Sequence, residues 1–170
     1  MDLWLLRHAE AENQAASGRD EDRDLTPEGH GQANSVARGL AELGPGISLI
    51  LTSPYRRARH TAEAVAEALG LSARVRQSRA LEPGSNPQAV LSELEGLTED
   101  SVLLVGHAPL LGQLLGLLVT GDPGREIPLK KAGVASIVIE GRGASGTLQA
   151  FLPLRVLERL GQTPPARGVL

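Results

Sequence analysis

Ser101-Val102-Leu103-Leu104-Val105-Gly106-His107 carries four aliphatic residues in succession and ends on a glycine and an imidazole. With no polar residue on alternate positions, it reads as a strand buried on both faces, the mark of the centre of a parallel sheet. The same form recurs at the start of the chain, where Asp2 to Leu6 runs into Arg7-His8. It recurs again where Ile47 to Thr52 runs into Ser53-Pro54-Tyr55-Arg56-Arg57. If the three strands are parallel neighbours, their carboxyl ends open onto one crevice, the usual ligand position of an open α/β sheet. Arg7, His8, Arg57 and His107 would then converge. Guanidinium forks match phosphate oxygens bidentately and a neutral imidazole can attack phosphorus, so the expected ligand is a phosphoryl group.

Outward from these strands, apolar runs alternate with segments of helical period, which predicts an α/β fold with a mostly parallel sheet covered by helices. Thr26 as N-cap and Pro27 at the first helical position open a helix to about Leu43, stopped by Gly44-Pro45-Gly46. A second helix is expected from about Tyr55 to Leu69, with Gly70 as its stop, and a weak strand over Ala73 to Gln77. Asn86-Pro87 repeats the cap-then-proline signal and starts a helix that ends near Leu97. Pro109 to Val119 is the most apolar stretch, but it is only about half the roughly 20 residues a membrane span needs, and it reads as a buried helix. Gly133 to Glu140 and Thr147 to Leu152, joined by a Gly/Ser linker, read as an antiparallel hairpin near the sheet edge.

The polar stretch from Ala9 to Leu25 contains the charge run Arg19-Asp20-Glu21-Asp22-Arg23-Asp24 and reads as a lid or as a solvated loop. Residues 1–160 are expected to form one domain and 161–170 a loose tail.

Composition narrows the partners. The net charge of −3 argues against general affinity for nucleic acid or anionic membrane, which needs clustered positive charge. One Trp, one Tyr and one Phe leave no platform for base stacking. The absence of cysteine excludes disulfides, thiolate metal sites and a cysteine nucleophile. No basic leader with a long apolar stretch precedes the first strand, so a cytoplasmic location is expected. Taking His8, His60 and His107 as zinc ligands fails on spacing, and the flanking arginines would repel a cation. The acidic run lacks the calcium-loop pattern. Neither metal nor cofactor is expected.

Leu6-Arg7-His8-Ala9-Glu10 resembles the Arg-His-Gly signature of the histidine phosphatase superfamily, which includes phosphoglycerate mutase-like enzymes. Leu25-Thr26-Pro27-Glu28-Gly29 resembles its Leu-Thr-x-x-Gly helix start, and Ser53-Pro54-x-x-Arg57-Ala58-x-x-Thr61 its second phosphate-binding segment. Val105-Gly106-His107 completes the set in order. The short length, Leu81-Glu82-Pro83-Gly84 and Gly106-His107-Ala108-Pro109-Leu110 look most like the SixA-type phosphohistidine phosphatases, compact members without the large insertions of the mutases. The resemblance implies a three-layer α/β/α sandwich, a mostly parallel sheet with an antiparallel edge, and metal-free phosphoryl transfer. Two departures stand out: Ala9 replaces the usual Gly, and position 14 is Gln14 where mutase-like members tend to carry Asn, the Asn here being Asn13.

The chemistry expected is attack by His8 on phosphorus, giving a phosphohistidine intermediate that water hydrolyses, with Arg7, Arg57 and His107 around the transferred group's oxygens. Glu82 follows the third strand where the superfamily often places an acid; it is either that acid or a surface glutamate in a Pro/Gly loop. His60, three residues after Arg57, lies near its face, and His30 is expected to be exposed. The substrate is a phosphorylated protein, such as a histidine phosphorelay domain, or a small phosphorylated metabolite, with inorganic phosphate as product. The remaining alternative is an idle phosphohistidine-binding module, against which the intact His8 argues.

Overall fold

Each of the apolar runs becomes a strand, and together they make one sheet. The computed structural model describes residues 1–139 and 145–162. In chain order its elements are β1 (Asp2–Arg7), α1 (Pro27–Leu43), β2 (Leu49–Thr52), α2 (Arg56–Ala68), β3 (Val75–Gln77), α3 (Pro87–Glu95), β4 (Ser101–Gly106), α4 (Leu110–Thr120), β5 (Val134–Ile139), β6 (Gly146–Leu152) and α5 (Leu154–Leu160). The strands lie in the order β3-β2-β4-β1-β5-β6. The pairs β1–β4, β2–β4 and β2–β3 are parallel, while β5 runs antiparallel to both β1 and β6. The hairpin thus supplies the antiparallel edge. Glu140, its linker and the tail from Thr163 lie outside the described residues.

The central strand β4 is buried along its whole length. Val102 and Leu104 pack with Leu3, Leu5, Val90, Leu94 and the leucines of α4 on one face. Leu103 and Val105 pack with Leu6, Val36, Leu40, Ala62, Val65 and Leu157 on the other. This alternation puts α3 and α4 on one side of the sheet and α1, α2 and α5 on the other, giving three layers. With few aromatic side chains, leucine and valine carry the core; losing one buried leucine costs about 2–5 kcal/mol.

The helix starts follow the capping chemistry. Thr26 Oγ1 accepts the Gly29 N–H at 3.0 Å, and Asn86 Oδ1 accepts the Ala89 N–H at 3.0 Å. Gly44 ends α1 in the left-handed region at φ +59°. The third strand is shorter than expected because a 3₁₀ turn, Ser72–Arg74, takes its first residues. Helix α5 was not anticipated from the sequence. It is about two turns long, its signal being Leu154, Leu157 and Leu160 after Pro153, and it docks on α1 where Gly39 leaves room for the Leu157 backbone.

Gly29 explains its own motif. A Cβ there would stand 1.8 Å from the carbonyl oxygen of Glu10, two residues past His8, so α1 and the segment after β1 can meet only over a glycine. Gly29→Ala is therefore expected to lower stability by about 1–3 kcal/mol and to depress the phosphoester hydrolysis that the resemblance implies, in the molecules that remain folded. Urea unfolding and an ester assay check this, and a stability within about 0.5 kcal/mol of the parent would contradict it.

Candidate active site

Strand register assembles the site. Arg7 pairs with Gly106, and Thr52 with Val105, so the residues just past the ends of β1, β2 and β4 become neighbours. The His8 N–H donates to Gly106 O at 3.0 Å, and the Ser53 N–H to Val105 O at 2.9 Å. The rings of His8 and His107 then lie 5.0 Å apart, tilted by 58°. Arg57, in the first turn of α2, joins them. The three side chains are almost wholly enclosed, with residue exposures of 6% for His8, 4% for Arg57 and 3% for His107.

His8 is oriented by its neighbour's backbone. Its Nδ1 lies 2.7 Å from Ala9 O, so Nδ1 carries the proton and Nε2 is bare. Burial lowers its pKa to about 4; the bond to Ala9 acts in the opposite direction, and Arg57, Arg7 and Lys131 add to the lowering. Ala9 is itself fixed, because its N–H donates to Thr61 Oγ1 at 3.2 Å while that hydroxyl donates to Arg57 O at 2.7 Å. Ala132 is the one described non-glycine residue with positive φ, so alanine at position 9 is under no such strain.

His107 is held from the opposite side. Its Nε2 lies 2.9 Å from Ser53 Oγ, which also accepts the Tyr55 N–H at 3.3 Å. The Tyr55 ring stands edge-on to His107 at 5.4 Å, and the Arg57 guanidinium lies 5.1 Å over that same ring. Burial, followed by the charges of His8 and Arg57, lowers the His107 pKa to about 2. Among the described residues, three buried nitrogens here have no hydrogen-bond partner: Arg7 Nε, Arg57 Nε and His107 Nδ1. Leaving such groups unpaired is costly, and an anion with several oxygens would satisfy them.

The charged loop does close over the site. Arg57 donates Nη1 to Asp20 O at 2.8 Å and Nη2 to Asp20 Oδ2 at 3.0 Å, so an aspartate sits on the guanidinium fork. Burial works to raise the Asp20 pKa, but the bonds from Arg23 and Arg57 outweigh it and hold the carboxylate ionised. An isolated bridge closes the loop's base between Ala11 and Leu25.

Glu82 follows the turn Arg79–Leu81 and faces a groove of about 520 Å³ that Tyr55, Arg56, Arg59 and Arg79 also line. Among the described residues no hydrogen bond or ion pair joins it to Arg7, His8, Arg57 or His107. His60 bonds to Asp24 at 2.5 Å rather than to the His8–His107 pair, and His30 is exposed. Asn13 and Gln14 are exposed too.

Ser53, Thr61, Asp20 and Lys131 have roles here that the sequence did not assign. The first two stand in the quoted motif. Lys131, half-exposed, pairs with Glu10 at 2.5 Å; it belongs to a connector whose Leu129 carbonyl accepts Arg7 Nη1 at 3.1 Å. Two adjacent lysines, the chain's only ones, were the available signal for that connector.

The chain is similar in sequence and fold to known proteins. The model of the histidine phosphatase superfamily (branch 1) matches residues 3–82. An uncharacterised protein of Picosynechococcus sp. is 37% identical over 88% of this chain and 90% of its own length. The phosphohistidine phosphatase SixA of Escherichia coli is 31% identical over 84% of this chain and 88% of its own. The structure of the protein histidine phosphatase SixA complexed with tungstate superposes with a TM-score of 0.83 at 28% identity, covering 92% of this chain and 99% of that one. Among the described residues no helix is long and apolar enough to cross a membrane.

Three outcomes are expected from this geometry. Nitrogen-15 NMR should find the His8 ring neutral, protonated on Nδ1, down to about pH 5, because its pKa lies near 4; a midpoint near 6.5 would contradict the burial described. As both imidazoles bind protons more weakly when folded, stability should fall as the pH drops from 6.5 towards 4. Asp20→Ala should tighten competitive inhibition by inorganic phosphate roughly threefold to tenfold by freeing Arg57; unchanged or weaker inhibition would contradict the competition.

Proposed function

We propose that this chain, which belongs to the histidine phosphatase superfamily and is a phosphatase of that group, removes phosphate from protein phosphohistidine through a phospho-His8 intermediate. The reading rests above all on the Nδ1–H bond from His8 to Ala9 O, which leaves an uncharged ring with its Nε2 lone pair free beside two arginines. That lone pair attacks phosphorus. A bond forms from Nε2 to phosphorus as the bond to the substrate's imidazole nitrogen breaks, and the leaving ring takes the bonding pair and carries a proton. Water then attacks the phosphohistidine, the pair returns to Nε2, and inorganic phosphate departs with the water's oxygen.

Arg7 and Arg57 bind the equatorial oxygens, where charge stabilisation supplies most of the rate. In this reading Ser53 Oγ, which accepts from Tyr55 N–H, donates its own proton to His107 Nε2, and the ring proton of His107 sits on Nδ1. His107 then donates to the transferred group while uncharged. In this reading Arg57 must release Asp20 before it can take phosphate, so the loop opens for substrate.

The leaving group favours phosphohistidine. An imidazole with a reference pKa of about 6.5 departs with little acid assistance, whereas an alkoxide needs a positioned acid. Glu82 is the residue we assign to that second task, from its place beside Tyr55 on the groove. The groove, with Glu21, Asp22 and three arginines along it, suits a segment of protein surface. The partner is then a phosphohistidine protein, such as a phosphorelay domain, and the location cytoplasmic.

Comparing kcat/KM on a phosphohistidine protein and on small phosphomonoesters tests the substrate. We expect a preference for phosphohistidine of about a hundredfold or more, with Glu82→Gln impairing only the ester reaction. A higher value on a phosphomonoester would make the chain a metabolite phosphatase. Arg57→Ala should lower kcat/KM on either substrate by about 10²–10³, and a loss below tenfold would remove Arg57 from the phosphate site.

A further inference from the structure

Asp24, His30 and His60 come from three segments and meet at the outer side of the charged loop. Asp24 ends the loop, His30 lies in the second turn of α1, and His60 in the second turn of α2. His60 Nδ1 lies 2.5 Å from Asp24 Oδ1, and the His30 and His60 rings are 5.9 Å apart with only 31° between their planes. One ligand atom from each residue falls within 4.8 Å of the other two. The Asp24–His60 bond accounts for two of these side chains but not for the third. Among the described residues the His30 ring makes no hydrogen bond or ion pair, and it lies beside the His60 ring.

We propose that these three residues form a site for a divalent transition-metal cation, zinc foremost. Two imidazoles and a carboxylate are a donor set that zinc accepts, with bonds of about 2.0–2.2 Å and a tetrahedral arrangement. Ligand atoms around such an ion lie about 3.3–3.5 Å apart by that geometry. The present spread therefore closes with a rotation of His30, which is exposed and free to turn. Solvent takes the fourth position. Asp24 is already oriented for the task, because its Oδ1 accepts the Leu25 N–H at 2.7 Å and its own N–H donates to Glu12 Oε2 at 3.1 Å. The Glu12 carboxylate adds a second negative charge beside the site.

Among the described residues no arginine pairs with Asp24, in contrast to Asp20 and Asp22, each of which is paired with arginine. A cation bound here would join the end of the loop to α1 and α2, four residues from the aspartate that covers Arg57. The site is separate from the His8–His107 pair and takes no part in phosphoryl transfer.

The test is calorimetric titration of the full, untagged chain with zinc chloride, together with the visible spectrum of its cobalt(II) form. We expect one equivalent to bind, with the spectrum of a tetrahedral nitrogen–oxygen site, and His30→Ala and His60→Ala each to weaken binding by about tenfold or more. His8→Asn should leave binding unchanged. His30 is exposed, so its variant is expected to fold as the parent does, which circular dichroism verifies. The proposal is overturned by an absence of binding, by binding that survives both substitutions, or by binding lost in His8→Asn, which would place the cation at the other imidazole pair.

Discussion

The hydrogen bond from His8 Nδ1 to the carbonyl of Ala9 is the constraint around which the site is arranged. It fixes which ring nitrogen is bare and which direction that nitrogen faces, and it can do so only if the Ala9 peptide is itself immobile. Thr61 supplies that immobility by bridging Ala9 N–H to the carbonyl of Arg57. One threonine hydroxyl therefore couples the end of β1 to the first turn of α2. The imidazole and the guanidinium are positioned by the same short chain of bonds, so displacing either disturbs both.

Electrostatics then divides the labour. Burial beside cations keeps both imidazoles uncharged, so the positive charge of the pocket resides on the arginines. This arrangement lets a ring nitrogen act as a nucleophile next to groups that attract an anion. Asp20 supplies the counter-charge to the Arg57 guanidinium, which is 4% exposed. A loop aspartate, about half exposed, can yield to a doubly charged phosphoryl group, whereas a buried acid could not.

Much of this was legible in the sequence, for identifiable reasons. The strand ends at Arg7-His8, Ser53 and Gly106-His107 could be read because buried parallel strands leave unbroken aliphatic runs, and the cap-then-proline pairs fixed two helix starts. Other features depend on tertiary contacts that no local pattern records. Gly29 looks like an ordinary helical glycine until the Glu10 carbonyl is seen against it. The Asp20–Arg57 pair spans 37 residues, and its loop has no periodicity. Lys131 and the connector before β5 lie in a segment without strand or helix signals, and α5 is too short for periodicity to stand out. His60 was near Arg57 in sequence as expected, but the helix turns its ring towards Asp24 and His30.

The most direct measurement is rapid-quench trapping of the covalent intermediate with isotopically labelled phosphoryl substrate, followed by mapping of the labelled residue. The account predicts a base-stable, acid-labile label on His8, attached at Nε2 and discharged by water at a rate compatible with turnover. Label on any other residue, or turnover in which no phosphorylated protein forms, would contradict it.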